Sequence, residues 1–355
     1  MLTGVLTLLL LINAIGDPNT AIGDLINTSD EPIDASDDPI DGDVDQQQSN
    51  PIPGYAREDL AKIVPAALPL GERLIFKATV EWKGAQVLVG HFELAAWTDS
   101  SSNKILHGRG KGERFGYKID QRIVTVLDST GVQPISFFNM QRGSEHHTKK
   151  LIFGNEQIEY LKQSHCRGED CNKPEHRVSE VAWKGPIPWG TEKSHCTEKD
   201  CKNPKHEIWS VRETHVVDEP YVDLLTAIYV ARTATFPSDG KPLLIPVVND
   251  DSRWLVKVEP LKQEKLIVPE GEYEAIELSL TPYASDGDQK KRFQGLFGIH
   301  GTLRVWIDSI TGKPLLIEGT LPISILNLKA RIELISSGDA EVVKTRHNVR
   351  NTEQK

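Results

Sequence analysis

The chain has 355 residues, 38% of them hydrophobic, with 51 acidic and 41 basic side chains and a formal charge of −10. That length admits one large all-β domain or two smaller ones. The acidity is local: residues 1–56 hold no Lys or Arg and ten acids between Asp17 and Asp45, so the remainder carries 41 acids against 41 bases, and no nucleic-acid partner is expected of a body without a basic excess.

The chain opens on an apolar run of eleven residues, Val5 to Ile15. It suits the core of a secretory signal and is too short to span a bilayer easily. Residues 1–16 are therefore expected to be a signal peptide, the protein to be exported to the periplasm or cell envelope, and the mature chain to lack a transmembrane segment. The alternative is an apolar segment packed on the body. Residues 17–56 are rich in Asp, Pro, Ser and Gln and cannot bury enough apolar surface to offset the entropy of ordering, so they read as an acidic disordered linker. A single β-rich domain is expected over 57–345, followed by a polar tail over 346–355.

After a short helix stopped at Pro65, the hydrophobic period becomes two. "GERLIFKATVEWKGAQVLVGHFELAAW" alternates apolar and polar residues on both sides of "WKGAQ", a hairpin signature. Further alternating runs follow to about residue 336, separated by Gly, Pro, Asn and Asp. They predict a mainly β fold: an antiparallel curved sheet forming a half-open barrel or a sandwich.

Between 161 and 209 the pattern is enlarged by a repeat. "SHCRGEDCNKPEH" (164–176) returns as "SHCTEKDCKNPKH" (194–206), and the two copies hold all four cysteines. Ser, His, Cys, Asp, Cys, Pro and His are kept, whereas "RGE" faces "TEK". A Cys-x4-Cys loop presents two thiolates to one ion, and the proline stiffens the turn that brings back the second His. The candidate ligands are His165, Cys166, Cys171 and His176 in the first copy, and His195, Cys196, Cys201 and His206 in the second. Zinc takes such mixed sets in a tetrahedron. His165 and His195 directly precede a Cys, and strand neighbours point to opposite faces. A four-cysteine site, or an open site with a water as fourth ligand, therefore stays in play. The competing reading is a pair of local disulfides, Cys166–Cys171 and Cys196–Cys201, as an oxidising compartment favours. If each copy tips a hairpin and the strands run up, down, up and down, both tips lie at one end of the sheet.

One segment breaks the β pattern. Leu224, Leu225, Ile228, Tyr229 and Arg232 recur at helical spacing, with Asp218 and Pro220 as start signals, so one packed helix is expected near 220–234. Tyr229 reads as core and Arg232 as an anchor able to reach a strand carboxylate. His146 and His147 read as a solvated hairpin end, and "GRGKGERFG" lacks phosphate-loop spacing. Trp82, Trp97, Trp209, Trp254 and Trp306 all fall on predicted strands, where core packing or an apolar concave face could use them.

Taken in order, "GERLIFKATVEWKGAQVLVGHFEL", "DLLTAIYVAR", "GEYEAIELSL" and "LRVWIDSITGKPLLIEGTLPI" resemble the exported bacterial family known as domain of unknown function 3108, over about residues 70–335. The resemblance implies a curved, half-open β-barrel and a cell-envelope location, and supplies no catalytic residue. The expected function is a non-enzymatic binding module for an apolar ligand or an envelope protein partner, carrying a structural zinc-binding double hairpin. The alternatives are a zinc-dependent hydrolase with an open metal site and a disulfide-stapled assembly factor.

Overall fold

A computed structural model of the protein describes residues 68–114, 117–143, 147–164, 178–184, 187–193, 207–217, 220–234, 236, 242–285, 293, 295, 300–323 and 326–345. The expected signal peptide, acidic linker, short helix before Pro65 and polar tail lie outside these residues.

The first ten strands are β1 (Glu72–Trp82), β2 (Ala85–Thr98), β3 (Lys104–Arg114), β4 (Tyr117–Leu127), β5 (Pro134–Gly143), β6 (His147–Phe153), β7 (Gln157–Ser164), β8 (Val178–Lys184), β9 (Ile187–Lys193) and β10 (Glu207–Val216). Helix α1 (Leu224–Thr233) follows. Six more strands complete the chain: β11 (Leu243–Asn249), β12 (Ser252–Val268), β13 (Gly271–Ala284), β14 (His300–Asp308), β15 (Pro314–Ile323) and β16 (Leu326–Asp339).

The described strands form a single antiparallel sheet in the order β11–β16, β1–β7, β10, β8, β9. Its two edges, β11 and β9, do not pair, so the structure is the half-open barrel and not the sandwich. Most neighbours are sequential and joined by short turns. At the first turn Lys83 and Gly84 both have positive φ, 52° and 78°, as a two-residue hairpin that follows the strand twist requires. β16 returns to pair with β1 from Glu72 to Val80 and fuses the two halves of the chain.

The sheet curls around α1. Lys149 on β6 bonds Asp250 in the β11–β12 turn at 2.6 Å, bringing strands far apart in sheet order together. The edge strand β11 is not bare: Val222 makes a parallel bridge to Val247, donating to the Pro246 carbonyl and accepting from the Val248 amide. Pro246 is tolerated there because an edge strand needs fewer amide donors.

Asp223, rather than Asp218, starts the helix. Its side chain accepts from the amides of Leu225 and Thr226, satisfying two of the four donors that a helix start leaves free. The helix therefore spans 224–233 within the expected 220–234, since 220–222 are needed as extended backbone along β11. Apolar residues cover nearly all its circumference, as a helix enclosed by a sheet requires. Leu225 and Tyr229 are fully buried.

The sheet's other face is covered in one place by the C-terminal turn. Ala340 and Val343 pack on Trp97, Ile105, Val124, Val126 and Phe138 in a separate small core.

Candidate functional site: an apolar cavity under the helix

Period-two alternation sends one face of each strand toward α1. On β13 these residues include Leu278, Leu280 and Pro282; on β14, Leu303, Val305 and Ile307. Phe76 from β1, Phe92 and Leu94 from β2, and Val256 from β12 continue the wall. The helix offers Ala227, Ile228 and Ala231 opposite them. Two alanines four residues apart leave the helix too slender to fill the space, and a cavity of about 110 Å³ remains. That is on the scale of the ~150 Å³ apolar cavity known to take up benzene.

Among the described residues lining it, Arg232 alone is charged, and its charge is already used. Its guanidinium forks onto Glu72, Nη1 to Oε2 at 2.6 Å and Nη2 to Oε1 at 3.1 Å, while Nε donates to the Gly312 carbonyl at 3.1 Å. The ring of Tyr229 lies 5.4 Å from the guanidinium carbon, and burial pushes that phenol's pKa well above its ordinary value. A Cβ at Gly312 would stand 2.0 Å from the Arg232 carbonyl oxygen, so only glycine lets this turn meet the helix end. Arg232 thus reaches a strand carboxylate, as expected, and with Glu72 and Gly312 it clasps the helix and closes one end of the cavity. Toward the other end of β14, Gly301 lines it, as do Phe293 and Gly295.

The start of the helix is held as firmly. Asp223 is fully buried and accepts from Thr125 Oγ1 at 2.8 Å and Thr226 Oγ1 at 2.6 Å besides the two amides. Burial pushes its carboxyl pKa up, and these hydrogen bonds pull against that without reversing it.

All five tryptophans are on strands as expected, and Trp82, Trp97, Trp254 and Trp306 are not among the residues that line the cavity. Trp306 lies on the opposite face, its Nε1 donating to Glu264 at 2.8 Å. Trp97 belongs to the small core under the C-terminal turn. Trp254 packs edge-on against Phe293, ring centroids 5.1 Å apart. The "GRGKGERFG" segment falls largely in strand β3, consistent with its lack of phosphate-loop spacing.

His165, Cys166, Cys171, His176, His195, Cys196, Cys201 and His206 lie outside the described residues, as does His146. Among the described residues no three metal-ligating side chains cluster. The strands that carry the two copies are described, and they differ from two successive hairpins. β7 pairs with β10, from Ser164↔Ile208 to Gln157↔Val216, because β10 is long enough to match it throughout. β8 meets β10 at Val178↔Ile208 and Ser179↔Glu207, and β9 pairs back on β8 from Lys193↔Val178. Ser164, Ile208, Val178 and Lys193 therefore form one row across four strands, roughly 14 Å wide at ordinary strand spacing. In sequence, each repeat is flanked by strand residues on or next to that row. His147, half-buried on β6, extends it by pairing with Ser164.

These features define a curled antiparallel sheet wrapped on one helix, with an apolar cavity between them. The model of the family described as protein of unknown function (DUF3108) matches residues 188–331, the family that the sequence resembles. The match takes in the helix and the β13 to β15 motifs and leaves the β1–β2 hairpin outside it. No curated protein matches the chain. Among solved structures, a protein from Bacteroides fragilis described as exported with a YmcC-like fold is 9% identical, over 78% of this chain and 99% of that one, with a TM-score of 0.27. One from Parabacteroides distasonis described as a lipoprotein is 11% identical, over 78% and 99%, with a TM-score of 0.26.

Proposed function

We propose that the chain is an exported cell-envelope protein and a non-enzymatic binding module that holds an apolar ligand in the cavity between α1 and the sheet. The observation that carries this reading is the cavity wall: its described residues are aliphatic and aromatic apart from one cation, Arg232, which Glu72 neutralises. Among the described residues such a wall offers no unpaired charge to a hydrophilic substrate, and a ligand there gains mainly by removing apolar surface from water, about 25 cal/mol per Å². Export rests on the apolar run Val5–Ile15 and on what the family resemblance implies.

The test is displacement of the neutral dye N-phenyl-1-naphthylamine. Wild-type protein should enhance its fluorescence saturably, and Ala227→Leu, which fills the cavity, should remove the effect without lowering Tm. Equal dye binding by Ala227→Leu would place the dye elsewhere and end this reading.

The shared row of Ser164, Ile208, Val178 and Lys193 supports the second part of the proposal: the two Cys/His copies act together in binding zinc. Zinc quantitation on protein purified without added metal should find metal with four titratable thiols. Metal-free protein lighter by four hydrogens would establish the disulfides Cys166–Cys171 and Cys196–Cys201 instead. Turnover of an ester or peptide that chelation abolishes would favour the zinc-hydrolase alternative.

A further inference from the structure

A two-stranded hairpin with no other neighbour is marginally stable in water, so something besides its own ladder has to hold it. The end of the β12–β13 hairpin is in that position. β11 pairs with β12 only as far as Val258, and β14 pairs with β13 only from Ala275 to Leu280. From Lys265 to Tyr273 the two strands therefore pair with nothing but each other among the described residues. A bulge between Pro260 and Lys262 lies toward the base of this ribbon, and a bulged strand bends.

The tip reaches well across the sheet. The Glu270 carboxylate at the turn accepts from Ser337 Oγ on β16, from Lys313 Nζ in the β14–β15 turn at 3.5 Å, and from the Tyr273 hydroxyl of its own ribbon at 2.7 Å. Lys313 Nζ also lies 3.3 Å from Ser337 Oγ. β14 and β15 separate β13 from β16 in the sheet, so the tip is bent past both. Nearer the base, Glu264 accepts from Trp306 Nε1 at 2.8 Å. Ala275 stands opposite Glu264 and has no side chain beyond Cβ to stop the indole crossing from β14. Trp306 and the Leu316 opposite it are 5% and 1% exposed, on the face of the sheet that elsewhere carries charge. Val268 is 4% exposed and belongs to the same core, on which Leu266 and Tyr273 also pack.

We infer that residues 265–273 form a strap that opens as a unit while the sheet stays folded, with Glu270 as its latch and the Trp306–Leu316 strip as the surface it covers. Segments that open locally are those with few ties to the rest of the fold. Here the ribbon has no sheet neighbour, a bend at its base, and a polar latch whose partner Ser337 is exposed. Closed, the strap keeps the face away from α1 charged. Open, it leaves an indole and a leucine side by side on that face. The strap is independent of what the cavity under α1 binds.

Hydrogen exchange of the full chain, read by mass spectrometry, tests this. In the wild type, amides of 265–273 should exchange faster than those of 275–280 and 303–308. Glu270→Ala should speed the first set by at least about 10-fold, the worth of one hydrogen bond to a charged group, and leave the others within about twofold. Ser337→Ala should act in the same direction but less. Glu272→Ala, whose carboxylate meets only Lys265 of the same ribbon, should leave all sets as they were. In protein labelled with 15N at the indole nitrogens, the N–H resonance missing from Trp306→Phe should exchange faster in Glu270→Ala, because opening uncovers it. Equal protection of all sets in the wild type, equal acceleration of all in Glu270→Ala, or a Trp306 indole whose exchange ignores that variant would overturn the inference. Failure of Glu270→Ala to fold would overturn it too, since the ribbon would then be part of what holds the sheet.

Discussion

On the face of β13 and β14 turned toward α1, Leu278 and Val305 look into an apolar cavity; one residue along the same strands, Glu277 and Arg304 form an ion pair. The pattern continues across the sheet. On the face away from the helix, Lys262 lies 3.5 Å from Glu277. Arg304 stands opposite Glu318 in register. Arg331 bonds Glu318 at 2.6 Å and Glu333 at 3.0 Å, and Glu333 reaches Lys77 at 2.9 Å. Charge of alternating sign thus crosses β12 to β16 and β1. A membrane-spanning barrel has the opposite arrangement, an apolar band outside and a polar lumen. Here the apolar surface is gathered inside, and the outer face is built to meet water. The two faces should therefore respond to perturbation on different scales.

The largest effect is expected at the clasp on the inner side. Glu72→Gln removes the partner of a guanidinium whose side chain is 2% exposed. Breaking a buried pair from one side costs about 3–5 kcal/mol because the remaining charge is uncompensated. Urea unfolding should show that loss, whereas Glu318→Gln on the outer ladder should change stability by less than about 1 kcal/mol. Similar losses from the two would mean that the faces do not differ as described.

Asp223→Ala comes next. It removes the acceptor of two helix amides and of the Thr125 and Thr226 hydroxyls. A lost cap together with buried unpaired donors costs roughly 2–3 kcal/mol. Thr125→Val, which deletes one hydroxyl without stranding the cap, should cost less in the same unfolding measurement.

The same comparison explains how much could be read from the chain. Alternation alone was enough for the strands, since one face of each is buried and register follows. The helix was visible from Leu224, Leu225, Ile228, Tyr229 and Arg232, and its convergence with the Gly-Glu and Thr-Gly-Lys-Pro segments appears only once Arg232 is seen between Glu72 and Gly312. The cavity was not legible. The tryptophans drew attention to themselves, but the decisive signal was small residues, Ala227 and Ala231 on one helix face, opposite alternating leucines from strands distant in sequence. The row on which the strands flanking the two Cys/His copies meet was half legible: the repeat implied a shared end, but the pairing of β7 with β10 depends on strand length, which periodicity does not fix.

The smallest effect, and the one of clearest sign, is in acid. Around Glu333, burial alone would raise the carboxyl pKa, but hydrogen bonds from Lys77 and Arg331 and their charges bring it below its ordinary value of 4.5. A carboxyl depressed in the folded state binds fewer protons there than in the unfolded chain. Its stabilisation is complete above about pH 4.5 and is lost as pH falls through the lower, folded pKa. Asp223 has the opposite sign, because burial holds its pKa above the ordinary 3.8. The folded state then takes up a proton first, so this group's contribution improves as pH falls from its folded pKa toward 3.8. Glu333→Gln should therefore flatten the loss of stability below pH 4.5, by less than about 1 kcal/mol for a pair this near the surface, and added salt should shrink the effect. Asp223→Asn, which keeps an acceptor for the helix amides, should steepen the same acid limb. Urea midpoints measured between pH 3 and 6 on both variants distinguish the faces, and parallel shifts in the two would refute the assignment of opposite signs.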